Sequence, residues 1–410
     1  MNIYAVIILA ALLVNYLLNL ISDLLNLRAL NKPMPGEFQD VYDEDQYRTS
    51  QQYTRVRTRF GLVSSTVSIL ILLVFWFAGG FNWVDQIVRG LDYHTIVTGL
   101  LFVGILMLGQ SILSLPFSLY STFVIEERFG FNKTTPATFI ADLLKGMLLA
   151  VLLAGPLLAG VIAIFEFLGA VAWIYAWAVV ILFTLFVQFI APTWIMPLFN
   201  KFIPLEDGEL KKAILDYAEK VSFPLRGIYK IDGSRRSSKS NAFFTGFGKN
   251  KRIALFDTLI ENHTVPELVA VLAHEVGHYK KKHIPKNMVL GFLHTGLMLF
   301  LLSLFIRVPG LHEAFFMEEI SVYAGLLFFG LLYAPIEMVL SVVMQVVSRK
   351  HEFEADRFAA ETTGDPESMV AVLKKLSADN LSNLTPHPFH VFLNYSHPPV
   401  TERIRALRKA

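Results

Sequence analysis

Long apolar runs alternate with short polar ones over most of the chain, and their lengths set the first expectation. Residues 3–22 are apolar for about the 20 residues that a helix needs to cross the hydrocarbon core, and no small-residue cleavage site follows. A membrane span is predicted there, not a cleaved leader. Further runs of spanning length lie at 61–81, 95–120, 144–168, 171–194, 284–306 and 322–347. The fourth and fifth are parted only by Gly169-Ala170, which predicts a tight helical hairpin. Between the fifth and sixth runs the period changes. Residues 209–221 carry amphipathic helical spacing, 227–231 reads as a short strand, and 241–246 and 251–256 are apolar and aromatic runs joined by Phe-Gly-Lys-Asn, a hairpin signal. After the seventh run, 365–376 and 400–407 again read as amphipathic helices, the second preceded by Pro398 and Pro399.

This pattern predicts a multi-span α-helical membrane protein of seven spans with a small β-hairpin or sheet in its soluble part. It divides the chain into 1–198 (five spans with polar loops 23–60 and 121–143), a soluble segment 199–283, two further spans within 284–348, and a terminal segment 349–410. Composition agrees: 54% hydrophobic and 17% charged residues in 410 are too apolar for an ordinary soluble enzyme. A net charge of +2, with Lys and Arg scattered over loops, gives no basic patch and argues against nucleic acid as a partner. The cations also orient the chain. Arg28, Lys32, Arg48, Arg55, Arg57 and Arg59 follow the first span, and many more lie between the fifth and sixth, whereas the loop before the seventh is acidic. The positive-inside bias therefore puts the soluble segments in the cytoplasm.

Candidate chemistry centres on the sequence His-Glu-Val-Gly-His at His274 to His278. Residues four apart share one helix face, so His274 and His278 can both reach one metal ion with Glu275 beside them as a general base. A catalytic zinc generally takes three protein ligands and leaves a position open. With no cysteine in the chain, the third must be His or a carboxylate. Glu352 is the candidate, on a second helix. Asp356, one turn further, could accept the free N–H of a ligating histidine. His351 and Glu354 lie elsewhere around that helix and read as solvated charge, and His283 and His294 read as bystanders. Glu337, inside the seventh run, fits either a wet chamber wall or a partnered structural carboxylate. The run Asn241, Ala242, Phe243, Phe244 and Thr245 is either a scaffold strand or an edge on which a peptide substrate adds as a further strand.

With these residues assembled, the chain resembles the CAAX prenyl protease type 1 family, the a-factor-converting membrane zinc metalloproteases. The resemblance rests on Tyr-Asp-Glu-Asp-Gln-Tyr-Arg-Thr-Ser-Gln-Gln-Tyr after the first span, Glu-Glu-Arg-Phe-Gly-Phe-Asn-Lys-Thr-Thr at Glu126, and the stretch from Ser240 to Leu259. It rests equally on His-Glu-Val-Gly-His, Glu-Phe-Glu-Ala-Asp at Glu352, and Ser-His-Pro-Pro-Val-Thr-Glu-Arg at Ser396. It implies a zincin-like catalytic domain capping seven helices around an intramembrane chamber, and one Zn2+ on His274, His278 and Glu352 with Glu275 as base. Asn241 and His397 are implied to line the cleft, with Arg403 bracing His397. It further implies removal of a C-terminal tripeptide from a prenylated peptide at the bilayer. The short loop before the seventh span resembles prokaryotic members, which would place the chain in a bacterial inner membrane; a eukaryotic member would sit in the endoplasmic reticulum. Two other readings remain at this stage: a general membrane quality-control metalloprotease, and a transporter or channel with a structural zinc.

Overall fold

The computed structural model describes residues 1–245 and 251–409. Five membrane-crossing units come first: α1 (Ile3–Ala29), α2 (Glu44–Phe77), then, after the short amphipathic α3 (Gly80–Arg89), α4 (Thr95–Tyr120), α5 (Pro136–Leu149) continued by α6 (Gly155–Phe167), and α7 (Ala172–Ile190). A soluble unit follows, with β1 (Phe202–Pro204), α8 (Glu209–Lys220), β2 (Leu225–Ile231), β3 (Ala242–Thr245), β4 (Lys251–Phe256), α9 (Asp257–Asn262) and α10 (Val265–Lys280). The chain returns through α11 (His283–Phe305), α12 (Pro309–Glu313) and the long α13 (Val322–Thr363), and ends with α14 (Pro366–Asp379), α15 (Pro388–Asn394) and α16 (Val400–Leu407). Among the described residues, 7 helical stretches are long and apolar enough to cross a membrane, one for each run in the sequence.

Two details depart from the pattern. The second run breaks inside its apolar length, because Gly79 takes a left-handed φ of +74° that a residue with a Cβ adopts only with strain. The chain then turns into α3, which buries Phe81, Val84 and Val88 and sends the Asp85 carboxylate inward to accept from Tyr323 Oη (2.6 Å) and Arg89 Nε (2.7 Å). The seventh run and the charged stretch after it form one continuous helix of 42 residues, so the candidate third ligand is borne on the extension of a span beyond its apolar part.

Outward faces of the bundle are aliphatic, as at Val151, Leu152 and Leu182, while its interior gathers Trp76, Phe102, Phe315, Tyr323 and Phe328. The soluble part is built around α10. One apolar cluster on it joins Ala270 and Val271 to α14, Phe38, Tyr42 and Tyr47; the other joins Leu268, Leu272 and Val276 to α8 and the sheet. The tyrosine-rich stretch is thereby structural in part: Tyr42 Oη donates to the Ser377 carbonyl (2.5 Å). The sheet has 4 strands in the order β1-β2-β4-β3, with β2 and β4 parallel and β3 antiparallel to β4. Ala242 faces Leu255 and Thr245 faces Arg252, so the expected hairpin pairs as read, its turn lying outside the described residues. β3 is one of the two edge strands of the sheet, β1 being the other. β1, three residues ending in Pro204, has too little pattern to be read from sequence.

Candidate active site

The helix bearing His274 and His278 is fixed at its start and along its side. Thr264 and Glu267 form a reciprocal capping box, and the Glu267 carboxylate also meets Lys375 Nζ of α14 at 2.8 Å. Gly277 then decides how near α13 can come. A Cβ there would lie 3.0 Å from both the Cα and the carbonyl oxygen of Ala355, close enough that one helix would have to give by a few tenths of an ångström. The glycine lets the two helices touch backbone to backbone, and Glu352 and Asp356, which flank Ala355, arrive at the histidines.

The three candidate ligands close on one point. His278 Nε2 is 3.2 Å from His274 Nε2 and 3.3 Å from Glu352 Oε1, and His274 Nε2 is 3.5 Å from Glu352 Oε2. Ligands about 2.0–2.1 Å from a tetrahedral zinc stand about 3.3 Å apart, so the spacings fit such an ion. Glu352 Oε2 is moreover buried without a hydrogen-bond partner, with only the Arg403 guanidinium at 3.4 Å to offset its charge, so a metal ion would add to its satisfaction. Charge points the same way. Burial opposes a positive His274, yet its bond to Asp356 and the neighbouring Glu352 carboxylate pull its pKa up to about 9, so the site favours a cation.

Each histidine is held from behind. His274 Nδ1 donates to Asp356 Oδ1 (2.8 Å), because an ionised carboxylate can only accept, and its Nε2 lone pair is left facing the metal position. Arg403, from α16, grips Asp356 through Nη2 (2.6 Å) and Nε (2.8 Å) and stands 3.4 Å from Glu352 Oε2. The resemblance implied that it braces His397; its bonds go to Asp356. On the other side stands His283, which the sequence left as a bystander. Its Nε2 donates to Glu354 Oε2 (2.9 Å), so its Nδ1 accepts from His278 Nδ1 (3.0 Å), again leaving Nε2 toward the metal. His351 stacks on His283 at 3.9 Å and is buried. The reading of His351 and Glu354 as solvated charge is therefore corrected. Lys282, at φ +59°, reverses the chain between α10 and α11 and folds His283 under His278.

Glu275 sits partly buried beside these groups, and burial pushes its carboxyl above the usual carboxylate range against the pull of His274 and His278. His397 is exposed, with Nε2 3.5 Å from Glu352 Oε1 and Nδ1 bonded to Ser396 Oγ at 2.9 Å. Asn241 is exposed at the start of β3, its Oδ1 accepting from Ala242 N (2.8 Å) and its carbonyl from Phe256 N (3.1 Å). Deeper in the bundle, Glu337 Oε2 lies 3.0 Å from His294 Nε2, so these two ionisable groups face each other.

A helical membrane bundle carrying this constellation is an integral, multi-pass metallopeptidase. Residues 23–201 match the family described as CAAX prenyl protease N-terminal, five membrane helices, and residues 204–410 match peptidase family M48. Among similar proteins, the CAAX prenyl protease 1 homolog of Arabidopsis thaliana is 38% identical, covering 96% of this chain and 95% of its own, and that of Homo sapiens is 34% identical (92% and 88%). The crystal structure of Ste24p from S. mikatae superposes with a TM-score of 0.93 at 35% identity over 99% of both chains. The chain belongs to the CAAX prenyl protease 1 family.

Proposed function

We propose that the protein holds one zinc ion on His274, His278 and Glu352 and removes the C-terminal tripeptide from prenylated peptides ending in Cys-a-a-X, at the cytoplasmic face of its membrane. The observation carrying the metal assignment is the triangle of ligand atoms, 3.2, 3.3 and 3.5 Å on its edges, two imidazole nitrogens and a buried carboxylate within reach of one ion. The substrate class follows the names of the relatives.

Zinc bound there supplies Lewis acidity, polarising a carbonyl and acidifying water. Glu275 takes a proton from the attacking water at its carboxylate and returns it to the leaving amine, and its raised pKa suits both transfers. His397 offers a donor to the scissile carbonyl oxygen as that oxygen gains charge. The peptide adds as a strand along Ala242–Thr245, with the Asn241 side chain at one end of the added strand. Its lipid lies in the bundle, where each buried methylene contributes about 0.8 kcal/mol.

Glu275→Gln is the deciding variant. It is expected to retain about one zinc per chain by elemental analysis while losing about 10²- to 10⁴-fold in hydrolysis. Retained hydrolysis would remove Glu275 from the reaction. A farnesylated peptide is expected to be cut with higher kcat/KM than its unlipidated twin; equal values would favour a quality-control peptidase instead.

A further inference from the structure

A cavity of about 540 Å³ opens beside the candidate active site, and His397 lines it. That volume lies within the range of small-ligand pockets, about 300–1,000 Å³. Its position relative to the sheet gives it a direction. β3 runs from Ala242 to Thr245 as an edge strand, so a peptide added antiparallel runs the opposite way, and its C-terminal end leaves past Ala242 and Asn241 toward Ser240. There Ser240 N donates to Asn380 Oδ1 (3.3 Å), and Asn380 lines the cavity. An extended tripeptide reaches about 10 Å, so three residues released beyond the metal run into this space.

The charge in the cavity wall suits what such a tripeptide ends in. Arg57, from α2, lines it, its side chain 57% exposed. Behind Arg57, Tyr53 Oη donates to Glu126 Oε1 (2.7 Å) and accepts from Lys239 Nζ (2.7 Å), and Lys239 also bonds Glu126 Oε2 (2.8 Å). Glu126 is thus taken up by Lys239 and Tyr53. Arg57 reaches it only at 3.8 Å through Nε, and touches Tyr53 Oη through Nη1 at 3.2 Å. Two cations against one carboxylate leave the cluster with a charge of +1. The guanidinium, held over the Tyr53 ring at 5.4 Å, presents its Nη2 edge without a protein partner among the described residues.

We propose that this cavity binds the free C-terminal carboxylate of the substrate, with Arg57 as its partner; this rests on the tripeptide-releasing reading above. A guanidinium pairs with a carboxylate through two parallel N–H bonds, a geometry that a neutral terminus cannot match. The site therefore selects chains by their end, and it places the scissile bond by counting back from that end.

Two lipidated peptides of one sequence test it, one ending in a free carboxylate and one in a carboxamide. Wild-type protein is expected to favour the acid by about tenfold in kcat/KM, the size of one partly exposed charge-assisted pair. Arg57→Gln is expected to bring that ratio close to one, and Arg57→Lys to restore only part of it, since an ammonium keeps the charge but not the two parallel bonds. A wild-type ratio near one, or an unaltered ratio in Arg57→Gln, would overturn the proposal. The same pair of termini on the released tripeptide, competed for binding to the Glu275→Gln protein, reads the site without hydrolysis. If neither peptide were cut, the tripeptide-releasing reading would fall, and this binding ratio would still decide the cavity's role.

Discussion

A histidine can give a metal only one of its two nitrogens, and in this site the choice is made by the groups behind each ring. Asp356 makes it for His274 directly. Glu354 makes it for His278 through His283, a chain of two bonds at 2.9 and 3.0 Å. Loss of such outer partners typically costs 10- to 100-fold in metal affinity. His283→Ala and Glu354→Ala are each expected to weaken zinc binding by about that factor in chelator competition, and the double variant no further than His283→Ala alone, since both act through one ring. Additive losses would mean two separate effects. At this scale the sequence shows what lies on one helix face and little more. His274, His278, Glu352 and Asp356 are legible because four-residue spacing makes neighbours. His283 was not, because it reaches His278 across the helix break at Lys282, and its partner Glu354 stands on a helix formed much later in the chain.

Between elements, the contact of α10 with α13 sets the site, and Gly277 is where they touch. Gly277→Ala is favourable for an isolated helix, by about 0.8–1.0 kcal/mol in propensity. In this helix pair the added Cβ meets backbone at 3.0 Å, and overpacking of that kind costs about 1–3 kcal/mol. A lower Tm and weaker zinc retention are expected together; an unchanged or raised Tm would show that the helices part freely. The spans were legible because run length alone defines them. The joining of the seventh span to the charged stretch after it was not, since a change of polarity reads as an end although the backbone ignores it. The short elements β1, α12 and α15 are set by packing and carry no period long enough to read.

Over the whole molecule, the candidate ligands lie on both sides of two membrane crossings. An even number of crossings brings Glu352 back to the face where His274 and His278 stand, and the chain's lack of cysteine allows a clean check. With single cysteines placed at the exposed positions Glu209 and Glu313, membrane-impermeant thiol reagents are expected to label Glu209→Cys from the cytoplasmic side of sealed vesicles and Glu313→Cys from the other. Labelling of both from one side would change the number of crossings. The ligand order also bears on how the protein is made. Two ligands leave the ribosome before α11 and α13 are threaded into the bilayer, and the third follows only at the end of α13. A metal needs its full set of donors to bind tightly, so with the proposed ligand set the nascent chain would stay inert until α13 is complete. Other proteases are kept silent by a pro-segment cut away afterwards; with the proposed ligands, the order of synthesis alone would do the same here.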